Sequence, residues 1–483
     1  MRLYRLVLVA LFAFPLVGAR IHAQRSLDWN ALGEETVRVT REFLRINTTN
    51  PPGGELEAAR FLKSLLEREG IEATILDEAE LGSGRANLYA RLKATARGSR
   101  DSRASDTVRS AIALVQHLDV VPADSRYWSV DPFSGALKDG YVWGRGALDM
   151  KSQGIAHVMA MIAVKRSGLP LERDLVLIAN ADEELGSRGA RVFVRRHADL
   201  LRDVEYVITE GGSTPVRDGK VLYYGVGVAE KKTFWHRLTV KGTPGHGSRP
   251  TQGNPVPRLI AALDRLARYE TPLHLTPAVE RYFKAIAATY VGDERRWMSD
   301  PRAALNDARG RAWLVGDPDR NALLRNTISV TVLAGSSKTN VIPAEASAEV
   351  DIRLLPDQDP STVLRQLQAV VDDSAVVWTP LAEPQAPLDN PIDTDLYRAI
   401  ARVAGERDSG VAVTPLMSTG GTDRPQYGSL GIVTYGFSPF RVDVDDGRRG
   451  VHGNDERLSV ENVKFGVRLM YDVIRAMQGA RAM

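Results

Sequence analysis

Apolar residues recur at helical spacing over Glu35 to Ile46 and Leu56 to Glu69, parted by the Thr48-Thr49-Asn50-Pro51-Pro52-Gly53-Gly54 turn. Strand-length apolar runs follow at Ser110 to Gln116, Asp174 to Asn180 and Glu205 to Thr209, with a helical stretch at Ile155 to Arg166 between the first two. Short buried strands alternating with helices predict an α/β sheet. Lys93 to Ser110 is polar and reads as a solvated hairpin loop between strands.

From about residue 231 the rhythm changes. Lys232 to Lys241, Asn326 to Leu333, Ser347 to Leu354 and Ser374 to Pro380 read as strands, and Pro255 to Tyr269 and Pro360 to Asp372 as helices. The order strand-helix-strand-strand-helix-strand predicts a ferredoxin-like α+β domain inserted into the first. Residues 275 to 325, helical around Val279 to Val291, form an excursion within it. The chain then returns to the first domain with a strand at Ile432 to Tyr435 and a closing helix at Val460 to Met477. The expected division is a signal at 1–24, an α/β/α catalytic domain from 25–230 and 385–483, and an inserted lid or dimerisation domain at 231–384.

The first residues carry a different pattern: Arg2 and Arg5, an apolar stretch from Leu6 to Val17, then Ala19 or Ala23 as a small residue for cleavage. This reads as a secretory signal and predicts an exported protein, periplasmic or secreted. The stretch contains Pro15 and falls short of the roughly 20 residues that span a bilayer, so no stable membrane span is expected once the signal is removed. Loss of Arg2, Arg5 and Arg20 takes the 63 basic residues to 60, against 60 acidic ones. Balanced charge gives no electrostatic case for nucleic acid. The 483 residues allow two separate cores, and the absence of cysteine means that any zinc site must be built from His and carboxylates.

Three of the apolar strands run straight into such groups: His117-Leu118-Asp119, Asp182-Glu183-Glu184 and Glu210. Open α/β sheets bind ligands at the carboxyl ends of their strands, so these groups can converge. Taken alone, His117 would be a hydrogen-bonded structural histidine, Glu183 and Glu184 a solvated helix start, and Asp149 a turn residue. Their common placement changes the balance, because polar groups gathered at one sheet edge are costly unless something binds there. Asp149 sits in the glycine-containing run Trp143 to Lys151, and His452 in Val451-His452-Gly453-Asn454-Asp455-Glu456. Two histidines and several carboxylates suit two zinc ions about 3.5 to 4 Å apart with one carboxylate between them.

The runs His117 to Pro122, Gly144-Arg145-Gly146 to Lys151, Asp182-Glu183-Glu184, Thr243-Pro244-Gly245-His246-Gly247-Ser248, Asn340-Val341-Ile342-Pro343 and Gly420-Gly421-Thr422-Asp423 together resemble a known family. It is the co-catalytic dizinc peptidase family of aminoacylase, carboxypeptidase G, carboxypeptidase S and succinyl-diaminopimelate desuccinylase. Trp128 to Asp149 and Arg325 to Pro356 are most similar to the carboxypeptidase S and N-fatty-acyl-amino-acid hydrolase branch. The resemblance implies a zinc-peptidase-like α/β/α domain with a ferredoxin-like lid, and a homodimer. It implies His117 and Glu210 on one zinc, Glu184 and His452 on the other, and Asp149 bridging, with a cis peptide between Asp149 and Met150. Asp119 would orient the His117 imidazole.

Glu183 would be the general base for a metal-bridging hydroxide that attacks an amide carbonyl. His246 would stabilise the oxyanion from a partner subunit; without the resemblance it is a surface-loop histidine. Arg353 alternates out of register with the apolar face of its strand and would bind a substrate carboxylate, or else pair with an acidic neighbour. Asn340, Gly420 and Gly421 resemble substrate-contacting positions. The expected function is hydrolysis of N-acyl amino acids or C-terminal peptide bonds. An aminopeptidase or dipeptidase with the same site is the alternative, and a non-catalytic exported binding protein a more distant one.

Overall fold

The computed structural model describes residues 25–95, 111–383 and 385–478. The proposed signal at 1–24 and most of the expected Lys93 to Ser110 loop lie outside them. Among the described residues no helix is long and apolar enough to cross a membrane.

A nine-stranded sheet forms the larger unit. At its centre Leu175–Asn180, Ala111–His117, Val204–Thr209 and Val433–Gly436 run parallel, in that spatial order. The first two of these strands are buried along their whole length, as parallel strands covered on both faces must be, and their near-continuous apolar sequence follows from that. The helix beneath them, Lys151–Ser167, is buried almost all round and packs against the closing helix Val460–Met477. It begins four residues earlier than the apolar pattern suggests. Its first turn is polar, with Lys151 donating to the carbonyl of Ile46 at 2.6 Å.

The smaller unit has its own core. The strand Glu345–Leu354 alternates strictly, placing Ala346, Ala348, Val350, Ile352 and Leu354 on the buried face. These residues pack with Leu259, Leu263 and Leu266 of the helix Pro255–Arg268 and with Val363 and Leu367 of Pro360–Val371. Around it the antiparallel order is Thr327–Ala334, Glu345–Leu354, His236–Lys241, Val377–Pro380, which is the ferredoxin-like arrangement. The expected strand Lys232 to Lys241 is broken, with Lys232–Thr233 and His236–Lys241 pairing separately to Glu345–Leu354.

The excursion folds into Pro277–Ile286 and four further short helices between Gly292 and Leu323. It leaves the smaller unit: Val279, Phe283, Ile286, Trp297 and Met298 belong to the core of the large sheet. Pro277–Ile286 lies against the strand Ala412–Ser418, which runs parallel to Tyr223–Glu230.

Candidate metal centre

The parallel strands deliver His117 as a last residue, Glu210 directly after Val204–Thr209, and Glu183 and Glu184 in the turn after Leu175–Asn180. Asp149 arrives from the turn before Lys151–Ser167, and His452 from the loop after Val444–Gly450. His117 Nε2 lies 3.1 Å from Asp149 Oδ1 and 3.8 Å from Glu210 Oε2. His452 Nε2 lies 3.2 Å from both Asp149 Oδ2 and Glu184 Oε2. Asp149 therefore sits between the two imidazoles, with one oxygen toward each. Ligand atoms of His117, Asp149 and Glu184 fall within 4.8 Å of one another, as do those of His117, Glu183 and Glu210. The Asp149–Met150 peptide is cis.

So many carboxylates in one place repel. Burial, reinforced by Asp149, pushes Glu210 up to about 7, and burial with the Glu210 charge beside it pushes Glu183 well above the carboxylate range. Asp149 is buried too, yet the imidazoles of His117 and His452 hold it well below that range. Hydrogen bonds to Asp149 and then Glu184 push His452 up to about 10. Although burial opposes it, the Glu210 charge beside His117 holds that imidazole well above its ordinary value. Glu184 Oε1 is buried without a hydrogen-bond partner. A nitrogen-and-oxygen donor set with excess negative charge and an unsatisfied buried oxygen fits divalent cations.

Two buried carboxylates hold the ligand loops. Glu456 accepts the backbone N–H of Gly146 at 3.0 Å, of Leu148 at 2.6 Å and of Asp149 at 3.0 Å, and pairs with Arg145 at 2.7 Å. Asp119 accepts the N–H of Glu183 at 3.0 Å and of Glu184 at 3.1 Å, and the Asn50 side chain at 2.8 Å. His117 Nδ1 lies 2.9 Å from the backbone oxygen of Asp119 and 3.6 Å from its carboxylate. The carboxylate expected to orient the imidazole thus chiefly fixes the Glu183-Glu184 backbone. Glu456, Asn50 and Arg85, which with Asp182 completes the cluster behind Asp119, were not expected as site residues.

The family model described as Peptidase family M20/M25/M40 matches residues 113–476. The chain belongs to this peptidase family. N-fatty-acyl-amino acid synthase/hydrolase PM20D1 of Xenopus tropicalis is 30% identical over 379 residues, covering 75% of this chain and 71% of that protein. Human aminoacylase-1 is 26% identical over 461 residues, covering 93% and 96%. Among solved structures, an M20 family metallo-carboxypeptidase of Sulfolobus solfataricus superposes with a TM-score of 0.71 at 18% identity, over 92% of this chain and 99% of that one. The M20 membership and these relatives make the protein a metallopeptidase/amidohydrolase enzyme.

In this M20 chain a cleft of about 770 Å³ joins the two units, and Glu183, Glu184, His452, Arg353, Gly420 and Gly421 all line it. Arg353 bonds Asp351 through Nε at 2.7 Å and Thr233 through Nη1 at 3.0 Å, and lies over the Trp235 ring at 5.1 Å. It is both paired with an acidic neighbour and presented to the cleft. A Cβ on Gly421 would stand 3.4 Å from Thr233 Oγ1 and 3.9 Å from Arg353 Nη1, both ordinary contacts, so space alone does not require glycine there. His246 and Asn340 do not line the cleft. They share a short ribbon, Gly245–His246 with Val341–Ile342, on which His246 and Asn340 are exposed; Ser248 Oγ lies 2.8 Å from His246 Nδ1 and Gly247 donates to the Asn340 carbonyl at 2.8 Å.

Proposed function

We propose that the protein hydrolyses the amide bond of N-acyl amino acids or the C-terminal peptide bond of small peptides, using two zinc ions. The observation that carries this reading is Asp149 lying between two imidazoles, with the spare carboxylate Glu183 beside them in the cleft that Arg353 enters. His117, Glu210, Glu184 and His452 would hold the metals, with Asp149 shared. Bound there, the metals supply Lewis acidity, bringing the pKa of a water toward neutrality and polarising a carbonyl. Glu183 takes the proton of the attacking water and returns it to the leaving nitrogen as the C–N bond breaks. Arg353 anchors the carboxylate of the amino-acid half by its planar fork. The names of the relatives, a fatty-acyl-amino acid hydrolase and an aminoacylase, support the same bond type.

We further infer that two copies pair through the smaller unit. The strand Thr327–Ala334 is an edge with exposed Val332 and Leu333, and such an edge is a template for pairing. His246 would then complete the site of the other copy, and its place outside its own cleft supports that role. Export follows from the pattern of residues 1–24.

The deciding experiment loads the purified protein with zinc and compares N-acyl amino acids with unblocked dipeptides, in the native chain and in Glu183→Ala. Turnover of N-acyl amino acids, lost in a Glu183→Ala protein that keeps its metal, is the expected result. Cleavage confined to unblocked dipeptides would replace it with the dipeptidase reading.

A further inference from the structure

The chain passes from the large sheet to the smaller unit at Lys231, between the strands Tyr223–Glu230 and Lys232–Thr233. Glu230 and Lys231 are both buried, and their side chains serve different partners. Glu230 accepts the Thr422 hydroxyl at 2.8 Å and pairs with Arg424 at 2.9 Å, which ties it to the segment just after Gly420-Gly421. Lys231 Nζ donates to the carbonyls of Ala322 at 3.1 Å and Arg325 at 3.0 Å and to the Thr327 hydroxyl at 2.9 Å.

Thr327 stands opposite Arg353 in the sheet register, and so does Thr233 on the other side. Lys231 thus grips the strand end that presents Arg353 to the cleft. Its backbone N–H donates to the Ser418 carbonyl at 2.9 Å, and the Ser418 hydroxyl accepts the N–H of Gly420 at 3.2 Å, so the glycine turn that also lines the cleft is held at the same residue.

A staple alone needs no charge. Two carbonyls and a hydroxyl can be satisfied by a neutral donor, whereas a buried ammonium gives up its hydration, and the hydrogen-bond partners of Lys231 are all neutral oxygens. Burial, with the Arg353 guanidinium nearby, pushes Lys231 down to about 7. Asp351, which acts on Lys231 in the opposite sense, already pairs with Arg353 at 2.7 Å. When Lys231 carries its proton, two cations share one carboxylate, and an anion entering the cleft restores the balance.

We propose that Lys231 is a positioning residue for the substrate carboxylate: it sets the strand end that bears Arg353 and leaves that guanidinium short of an anion, so that the cleft selects a carboxylate over a neutral amide. This rests on the amidohydrolase reading above and adds to it a buried residue that acts through Arg353.

Lys231→Gln keeps a donor without the charge, and Lys231→Met fills the space with neither. Both should raise KM for N-acyl amino acids about tenfold with kcat little changed, and leave carboxamide-capped analogues nearly unaffected. If Lys231→Met does not fold, Lys231→Gln decides. In an Arg353→Gln background Lys231→Gln should add nothing. Calorimetric binding of N-acetylleucine and of its amide to zinc-loaded Glu183→Ala protein reads the same preference without turnover, and adding Lys231→Gln should lower the acid-to-amide affinity ratio about tenfold. Equal losses on acids and amides, a loss confined to kcat, or losses that add to those of Arg353→Gln, in a protein whose native form cuts N-acyl amino acids, would make Lys231 a staple and overturn the proposal. An acid-to-amide ratio that depends on Lys231 while the native protein cuts no N-acyl amino acid would leave the proposal standing and remove the hydrolase reading instead.

Discussion

Glu456 Oε1 accepts the backbone N–H of Asp149 at 3.0 Å, linking the loop that carries His452 to the residue lying between both imidazoles. The two loops are 303 positions apart by the numbering of Asp149 and His452, yet they are fixed as one piece.

Replacing Glu456 should therefore damage both fold and metal binding. Glu456→Ala leaves Arg145 as a buried guanidinium without its carboxylate, alongside three backbone donors that lose their acceptor. A loss on the order of 3 to 5 kcal/mol is expected in denaturant unfolding, with reduced metal content. Glu456→Gln, which retains an acceptor, should fall between. Native-like stability in Glu456→Ala would remove the link.

Metal uptake should release protons. His452 is pushed up to about 10 and His117 is raised by the carboxylates around it, so both imidazoles hold a proton more tightly than a free one, and a cation needs their lone pairs. Affinity should rise with pH and weaken below about 7, where Glu210 also takes up a proton. Calorimetry in buffers of different ionisation enthalpy reads the protons directly, and no net release would contradict the assignment. For the metal-free fold the sign is opposite. The His452 ion pairs stabilise fully below the ordinary imidazole value and are lost as pH rises through about 10.

Arg353→Lys keeps the charge but loses the fork. For substrates with a free carboxylate, kcat/KM should drop about ten- to a hundredfold, while carboxamide-capped analogues change little. An equal effect on both would assign Arg353 to its bonds with Asp351 and Thr233 alone.

His246→Ala and Glu183→Ala proteins, each inactive alone, should regain part of the activity when mixed. A mixed dimer has one site with Glu183 intact and the partner histidine present. No recovery despite demonstrated subunit exchange would place His246 in its own site or in none.

His117, the Glu183-Glu184 pair and Glu210 stood out because each follows an apolar run, a local signal that survives without knowledge of the fold, whereas Asp149 and His452 lie in glycine-containing loops and took their place in the set through the resemblance. The strands Tyr223–Glu230 and Ala412–Ser418 were not legible. Gly225 and Gly227 interrupt the first and Pro415 the second, and only packing explains the glycines. A Cβ at Gly225 would stand 2.3 Å from Leu416 Cδ1, and one at Gly227 would stand 2.3 Å from the Gly211 carbonyl. The excursion was visible as helical sequence, but its short helices, several capped by Asp300, Asp307 or Asp317, carry little periodicity. Nothing local tells that Phe283 and Met298 pack on the larger unit. Glu456 was equally hidden, since a buried acceptor for three distant N–H groups reads in sequence as one more surface acid.

Val433–Gly436 pairs with Val204–Thr209 on one side and with Tyr223–Glu230 on the other, and among the described strands of the large sheet it alone joins those two neighbours. During synthesis it emerges after the entire smaller unit. Until then the two halves of the sheet lack the strand that joins them. The smaller unit, whose strands and helices all lie between residues 232 and 380, can meanwhile settle independently. His452 follows the keystone strand by only sixteen positions, so closing the sheet and completing the candidate ligand set would be nearly one event. A ribosome-bound or truncated chain ending before residue 433 would have neither.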